Sequence, residues 1–123
     1  MSTLTGQCMC GDIKVEVKGT PEFSIICACT QCQKITGTGH APAFSVLTSN
    51  TSVTGKLNFF EQEADDGNTV TNAFCPNCGN PVYKKTTAMP QHIFFHISVI
   101  DDNSWFKADH VVYTDSAQVW DKI

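Results

Sequence analysis

From residue 12 to residue 18 the chain reads Asp-Ile-Lys-Val-Glu-Val-Lys, so Ile13, Val15 and Val17 share one face of an extended segment and the charged groups share the other. This predicts a strand with one wet face, closed by Gly19-Thr20-Pro21. Apolar segments at residues 23–26 and 41–47 flank a glycine-rich passage, Gly37-Thr38-Gly39-His40. Two shorter β patterns, residues 57–60 and 69–74, lie on either side of an acidic stretch with an Asp65-Asp66-Gly67 turn signal, which predicts a hairpin. Residues 81–85 predict a further strand, and residues 92–100 the longest one. There Ile93, Phe95, Ile97 and Val99 share a face predicted to be core, while His92, Phe94, His96 and Ser98 share a face predicted to meet solvent. A turn at Asp101-Asp102-Asn103-Ser104 precedes a last strand at residues 111–113, and Trp105, Phe106 and Trp120 read as packing residues. Helical periodicity, repeats and linkers are not evident in the pattern. The prediction is a mainly β protein, one unit spanning residues 1–123.

Composition agrees with a folded chain: 123 residues, 41% hydrophobic and 16% charged. No apolar run approaches the roughly 20 residues of a membrane helix, and Met1-Ser2-Thr3-Leu4-Thr5 lacks the basic start and apolar core of a secretory signal. A cytoplasmic protein without a membrane span is therefore expected. The basic residues are eight lysines with no arginine, and the formal charge is -4. Phosphate recognition relies on arginine forks and a concentrated positive face, so nucleic acid is not an expected partner.

Seven cysteines change the picture. They fall into three tight clusters, Cys8 with Cys10, then Cys27, Cys29 and Cys32, then Cys75 with Cys78. Disulfide frameworks scatter their half-cystines, whereas a metal ion needs several thiolates on short arcs, so clustering favours metal. Glycine follows the outer pairs, as Cys10-Gly11 and Cys78-Gly79, and lets each chain turn tightly around its sulfurs. The two pairs read as halves of one tetrahedral zinc site, with disulfides or a redox Cys-x-x-Cys as the alternative. The central triplet offers three ligands where a closed zinc site needs four. It reads as an open catalytic site, as a structural site completed by a histidine, or as a group of reactive thiols. Candidate proton carriers are His40, His96, His110 or solvent, and Lys34 is a candidate holder of a substrate carboxylate.

The order Gly6-x-Cys8-x-Cys10-Gly11, Cys27-x-Cys29-x-x-Cys32 with Lys34 and Gly37 behind it, then Phe74-Cys75-x-x-Cys78-Gly79 resembles the glutathione-dependent formaldehyde-activating enzyme / centromere protein V family. Residues 98–102, His110 and Trp120 extend the resemblance over almost the whole chain. It implies a small zinc-bound β-tent fold of short antiparallel sheets with two Zn2+ ions. One ion is structural, on Cys8, Cys10, Cys75 and Cys78; the other is catalytic, on Cys27, Cys29 and Cys32. The implied activity is addition of glutathione, or a similar small-molecule thiol, to formaldehyde, giving S-hydroxymethylglutathione, a carbon–sulfur lyase reaction run in reverse. Two positions depart from the family pattern: Ala28 stands where a histidine is usual, and Gln33 where a basic residue follows the third cysteine. The competing expectation is a non-catalytic zinc-stabilised binding module.

Overall fold

The structure, a computed structural model, describes residues 3–123. Three strands, β1 (Thr3–Gln7), β2 (Lys14–Lys18) and β5 (Thr51–Thr54), form an antiparallel sheet with β2 in the middle. The other strands are β3 (Phe23–Cys27), β4 (Ala41–Leu47), β6 (Asn58–Glu63), β7 (Thr69–Phe74), β8 (Pro81–Thr86), β9 (His92–His96) and β10 (His110–Val112). They make a seven-stranded sheet in the order β10-β3-β4-β9-β8-β7-β6, antiparallel except for the parallel pairing of β10 with β3. The protein is mainly β, as its alternating pattern predicts. Strands β6 and β7 form the expected hairpin, Glu63 facing Thr69 across the turn. Among the described residues one short α-helix, α1 (Thr30–Thr36), interrupts the strands. Among the described residues no helix is long and apolar enough to cross a membrane.

Register divides the large sheet into two unlike faces. Phe44 lies opposite Phe95, Val46 opposite Ile93, and Tyr83 opposite Phe95, so these side chains share one side. They pack against Val15 and Val17, the inward residues of β2, and against Ile13 just before it. Phe44 and Phe95 stack with ring centroids 5.8 Å apart, and Trp105 stands edge-on to Phe44 at 5.4 Å. The Trp105 indole N–H, which needs a partner when its ring packs inward, donates to the Asp102 carbonyl at 2.8 Å. On the other side Ile25, Cys27, Ala41, Ala43 and Phe94 form a second, smaller core with Cys32 of α1. Cys8 and Cys75 belong to the first core, Cys27 and Cys32 to the second. The two outer cysteine pairs and the triplet are thus served by different cores.

Three sequence expectations are corrected. Strand β9 stops at His96, and Ile97–Val99 is a 3-10 turn. Phe94 and His96 do not meet solvent: they are 6% and 5% exposed. β9 is a central strand, hydrogen-bonded to β4 and β8, and both of its faces are covered, so alternation along it separates two cores rather than core from water. His92, at its entrance, is half-buried and pairs with Glu22 at 3.0 Å. Trp105 packs as expected, but Trp120 is 66% exposed and does not.

Candidate metal centres

The outer cysteine pairs are built as matching knuckles. Cys8 N–H donates to the Ile13 carbonyl and Cys75 N–H to the Asn80 carbonyl, both at 3.0 Å, five residues on in each case. Inside each loop the glycine N–H returns to a cysteine carbonyl, Gly11 to Cys8 at 3.1 Å and Gly79 to Cys75 at 2.8 Å. Both glycines have left-handed φ angles, 85° and 76°, which a side chain would strain. A cross-link from Met9 N–H to Asn80 Oδ1, 3.0 Å, holds the knuckles together. All four sulfurs lie within 4.8 Å of one another. The Cys8–Cys10 and Cys10–Cys75 sulfur separations are both 3.6 Å. Tetrahedral zinc with Zn–S near 2.3 Å requires sulfurs about 3.8 Å apart, so this donor set fits the ion. Burial opposes ionisation of Cys8, but the Ile13 N–H, 3.3 Å from its sulfur, and the neighbouring thiols outweigh it and bring the thiol down to about 6.

The triplet is assembled by the end of β3 and the start of α1. Cys27 closes the strand, Cys29 is the N-cap of the helix and accepts the Cys32 N–H at 3.3 Å, and Cys32 lies in the first turn. Their sulfurs also lie within 4.8 Å of one another. The group carries more potential negative charge than it can ionise alone. Hydrogen bonds from Cys27 and Cys32 hold Cys29 far below the ordinary thiol range, and the same contacts push Cys27 and Cys32 up. Three thiols forced to share charge in this way are a donor set for a soft divalent cation such as zinc.

Beside Cys29 and Cys32 opens a cavity of about 140 Å³ whose wall includes Asn72, Lys84 and His96. Lys84 Nζ donates to Cys32 Sγ at 3.3 Å. Burial disfavours its ammonium, but the adjacent thiolates outweigh that, and its pKa lies above the usual lysine value. His96 is held down to about 4, first by burial and then by the charge of Lys84. Sequence reasoning did not single out Lys84 or Asn72, because β register alone brings them beside the thiols: Asn72 is opposite Lys84, and Lys84 opposite Phe94. His96, a candidate proton carrier from the sequence, does line this cavity; its burial was signalled by its place within Ile-Phe-Phe-His-Ile, the most apolar run of the chain's later half.

The other candidates lie elsewhere. Lys34 is exposed on α1 and borders a neighbouring cavity. His40 Nδ1 pairs with Asp121 Oδ2 at 2.7 Å, and His110 is exposed against Phe23. Both departures from the family pattern have structural roles. Ala28 is fully buried and donates to the Val112 carbonyl at 3.0 Å. Gln33 Nε2 donates to the carbonyls of Ala28 at 2.7 Å and Ser116 at 2.9 Å, tying α1 to the last segment of the chain.

With both cysteine centres in place, the comparison with known families becomes decisive: the pattern of the glutathione-dependent formaldehyde-activating enzymes matches residues 3–116. The chain belongs to this family. A crystal structure of a Rhodobacter sphaeroides protein is similar to it, with a TM-score of 0.68 and 17% identity over 88% of this chain and 99% of that one. That likeness is one of fold. Comparison with curated proteins gives no match. Membership of the formaldehyde-activating family accords with two cysteine centres of unequal completeness, four thiols in one and three in the other.

Proposed function

We propose that this family member is a zinc-dependent enzyme of the carbon–sulfur lyase type, which joins a small aldehyde to a thiol and splits the adduct again. S-hydroxymethylglutathione, formed from glutathione and formaldehyde, is the reference adduct. The observation that carries this reading is the three-thiol centre opening on a cavity, against the four-thiol centre that is complete. Cys8, Cys10, Cys75 and Cys78 would hold a structural zinc, and Cys27, Cys29 and Cys32 a catalytic one. Bound at the triplet, zinc supplies a Lewis acid that stabilises the thiolate form of an incoming thiol at neutral pH.

The chain's own residues do the remaining work. In addition, a sulfur–carbon bond forms, the carbonyl π pair moves to oxygen, and the thiol proton ends on that oxygen; cleavage reverses each change. Lys84 offsets the negative charge of the three thiolates and keeps Cys32 as a ligand. The cavity, about 140 Å³, admits the reacting end of an adduct and leaves the bulk of a tripeptide at the surface. Lys34, exposed on α1 and bordering the neighbouring cavity that Asn72 and His96 also line, is assigned to a substrate carboxylate at the surface. Seven free thiols suit a reducing compartment such as the cytoplasm, and residues 1–123 act as one unit. The test is two-dimensional exchange NMR of glutathione and formaldehyde with the zinc-loaded protein. Faster interconversion of free and hydroxymethylated glutathione supports the enzyme reading; unchanged exchange with two zinc ions bound supports a binding module instead.

A further inference from the structure

Among the described residues three buried side-chain atoms have no hydrogen-bond partner: Ser45 Oγ, Asn72 Nδ2 and His96 Nε2. Their placement is not scattered. Ser45 is opposite Phe94 and Ala43 opposite His96, while Lys84 is opposite both Phe94 and Asn72. All three orphans therefore project from the triplet face of the large sheet. Buried polar groups are nearly always paired in folded proteins, and an unpaired one is costly unless a ligand or water completes it. Asn72 and His96, each 5% exposed, both line the cavity that Cys29, Cys32 and Lys84 share. Ser45 does not line it.

The chemistry of the two groups selects what completes them. An amide is uncharged, and His96 is kept neutral by burial and by Lys84, so its ring carries one N–H and one lone pair. Such a pair suits a group that both accepts and donates a hydrogen bond without carrying charge. The carbinol hydroxyl of a thiol–aldehyde adduct is such a group; a carboxylate only accepts, and a thioether methylene does neither.

We propose that Asn72 and His96 form the oxygen-binding wall of this cavity, hydrogen-bonding the hydroxyl oxygen of the adduct while its carbon is bonded to sulfur. This rests on the reading of the triplet as a thiol–aldehyde site. As the sulfur–carbon bond forms and the carbonyl π pair shifts to oxygen, the wall steadies the charge that develops there, and the thiol proton finishes on the same oxygen. His96 stores no proton in this scheme.

The test compares the zinc-loaded full chain with N72L, H96L and H96Q in three measurements: exchange NMR of S-hydroxymethylglutathione, calorimetric binding of glutathione alone, and thermal melting. N72L and H96L are expected to slow adduct exchange roughly tenfold to a hundredfold while binding glutathione, which has no carbinol oxygen, as the parent does. Both should melt at or above the parent temperature, because each removes an unpaired buried polar group. H96Q, which restores a polar nitrogen near the Nε2 position, should recover part of the exchange rate. Parent-like exchange in N72L and H96L would overturn the proposal, and so would a joint loss of glutathione binding and melting temperature, which marks a structural role. An inert parent protein would instead overturn the reading of the site, and the oxygen wall with it.

Discussion

Replacing Lys84 by methionine keeps the length and most of the apolar stem and removes only the ammonium 3.3 Å from Cys32 Sγ. Two unit charges at that distance attract by about 5 kcal/mol at an effective dielectric near 20. The negative charge is shared among three sulfurs and the lysine is only partly shielded from water, which brings the figure to the ~1.5–3 kcal/mol of a charge-assisted hydrogen bond. With one power of ten per 1.36 kcal/mol, K84M is expected to weaken zinc at the triplet by roughly tenfold to 150-fold. The four-cysteine centre, built from other elements and packed in the other core, should be unaffected. Competition against a chromophoric chelator resolves the two binding events, and K84R should fall between parent and K84M. If K84M holds both zinc ions as tightly as the parent, Lys84 does not balance the charge of the triplet.

Other outcomes follow from the same structure. C75S removes a fully buried sulfur from the four-thiol centre. Structural zinc sites of this kind contribute roughly 10 kcal/mol or more to folding, so circular dichroism should show the strand signal lost, as it should after exhaustive chelation; a folded C75S protein would contradict the structural role. F95A empties a fully buried site where the ring stacks on Phe44 and meets Tyr83 edge-on, both at 5.8 Å, and should cost about 3–5 kcal/mol in urea unfolding. A loss under 1 kcal/mol would refute that packing. His96 has a folded pKa of about 4 against 6.5 for a free histidine, so below 6.5 the unfolded chain takes up a proton that the folded chain refuses. Stability should fall as pH drops from about 6.5 to about 4, by about 3 kcal/mol from this group, and the slope should flatten in H96L; equal slopes in parent and H96L would show that His96 does not titrate in this way.

How much of this was legible in the sequence depends on what each feature rests on. The knuckles were, because cysteine spacing and the following glycines are local signals, and local backbone geometry is what makes Gly11 and Gly79 necessary. Strand β2 was legible because its outer face is wet, so alternation has one meaning. The same rule failed at His96, where both faces are buried and polarity no longer marks the outside. Strands β1 and β5, rich in threonine and short, carry too few apolar residues to stand out, and sheet pairing with β2 is what makes them strands. The wall formed by Asn72, Lys84 and His96 is a product of register across three strands, information that no local spacing contains.

On this reading Cys27, Cys29 and Cys32 form the reaction centre of a fold held together by the other four cysteines. Native mass spectrometry and exchange NMR on one sample of C29S separate the two roles. C29S is expected to stay folded, keep a single zinc ion and no longer accelerate exchange between glutathione and its hydroxymethyl adduct, while the parent carries two zinc ions and does. A C29S protein that exchanges at the parent rate, or that unfolds and holds no zinc, would contradict this reading.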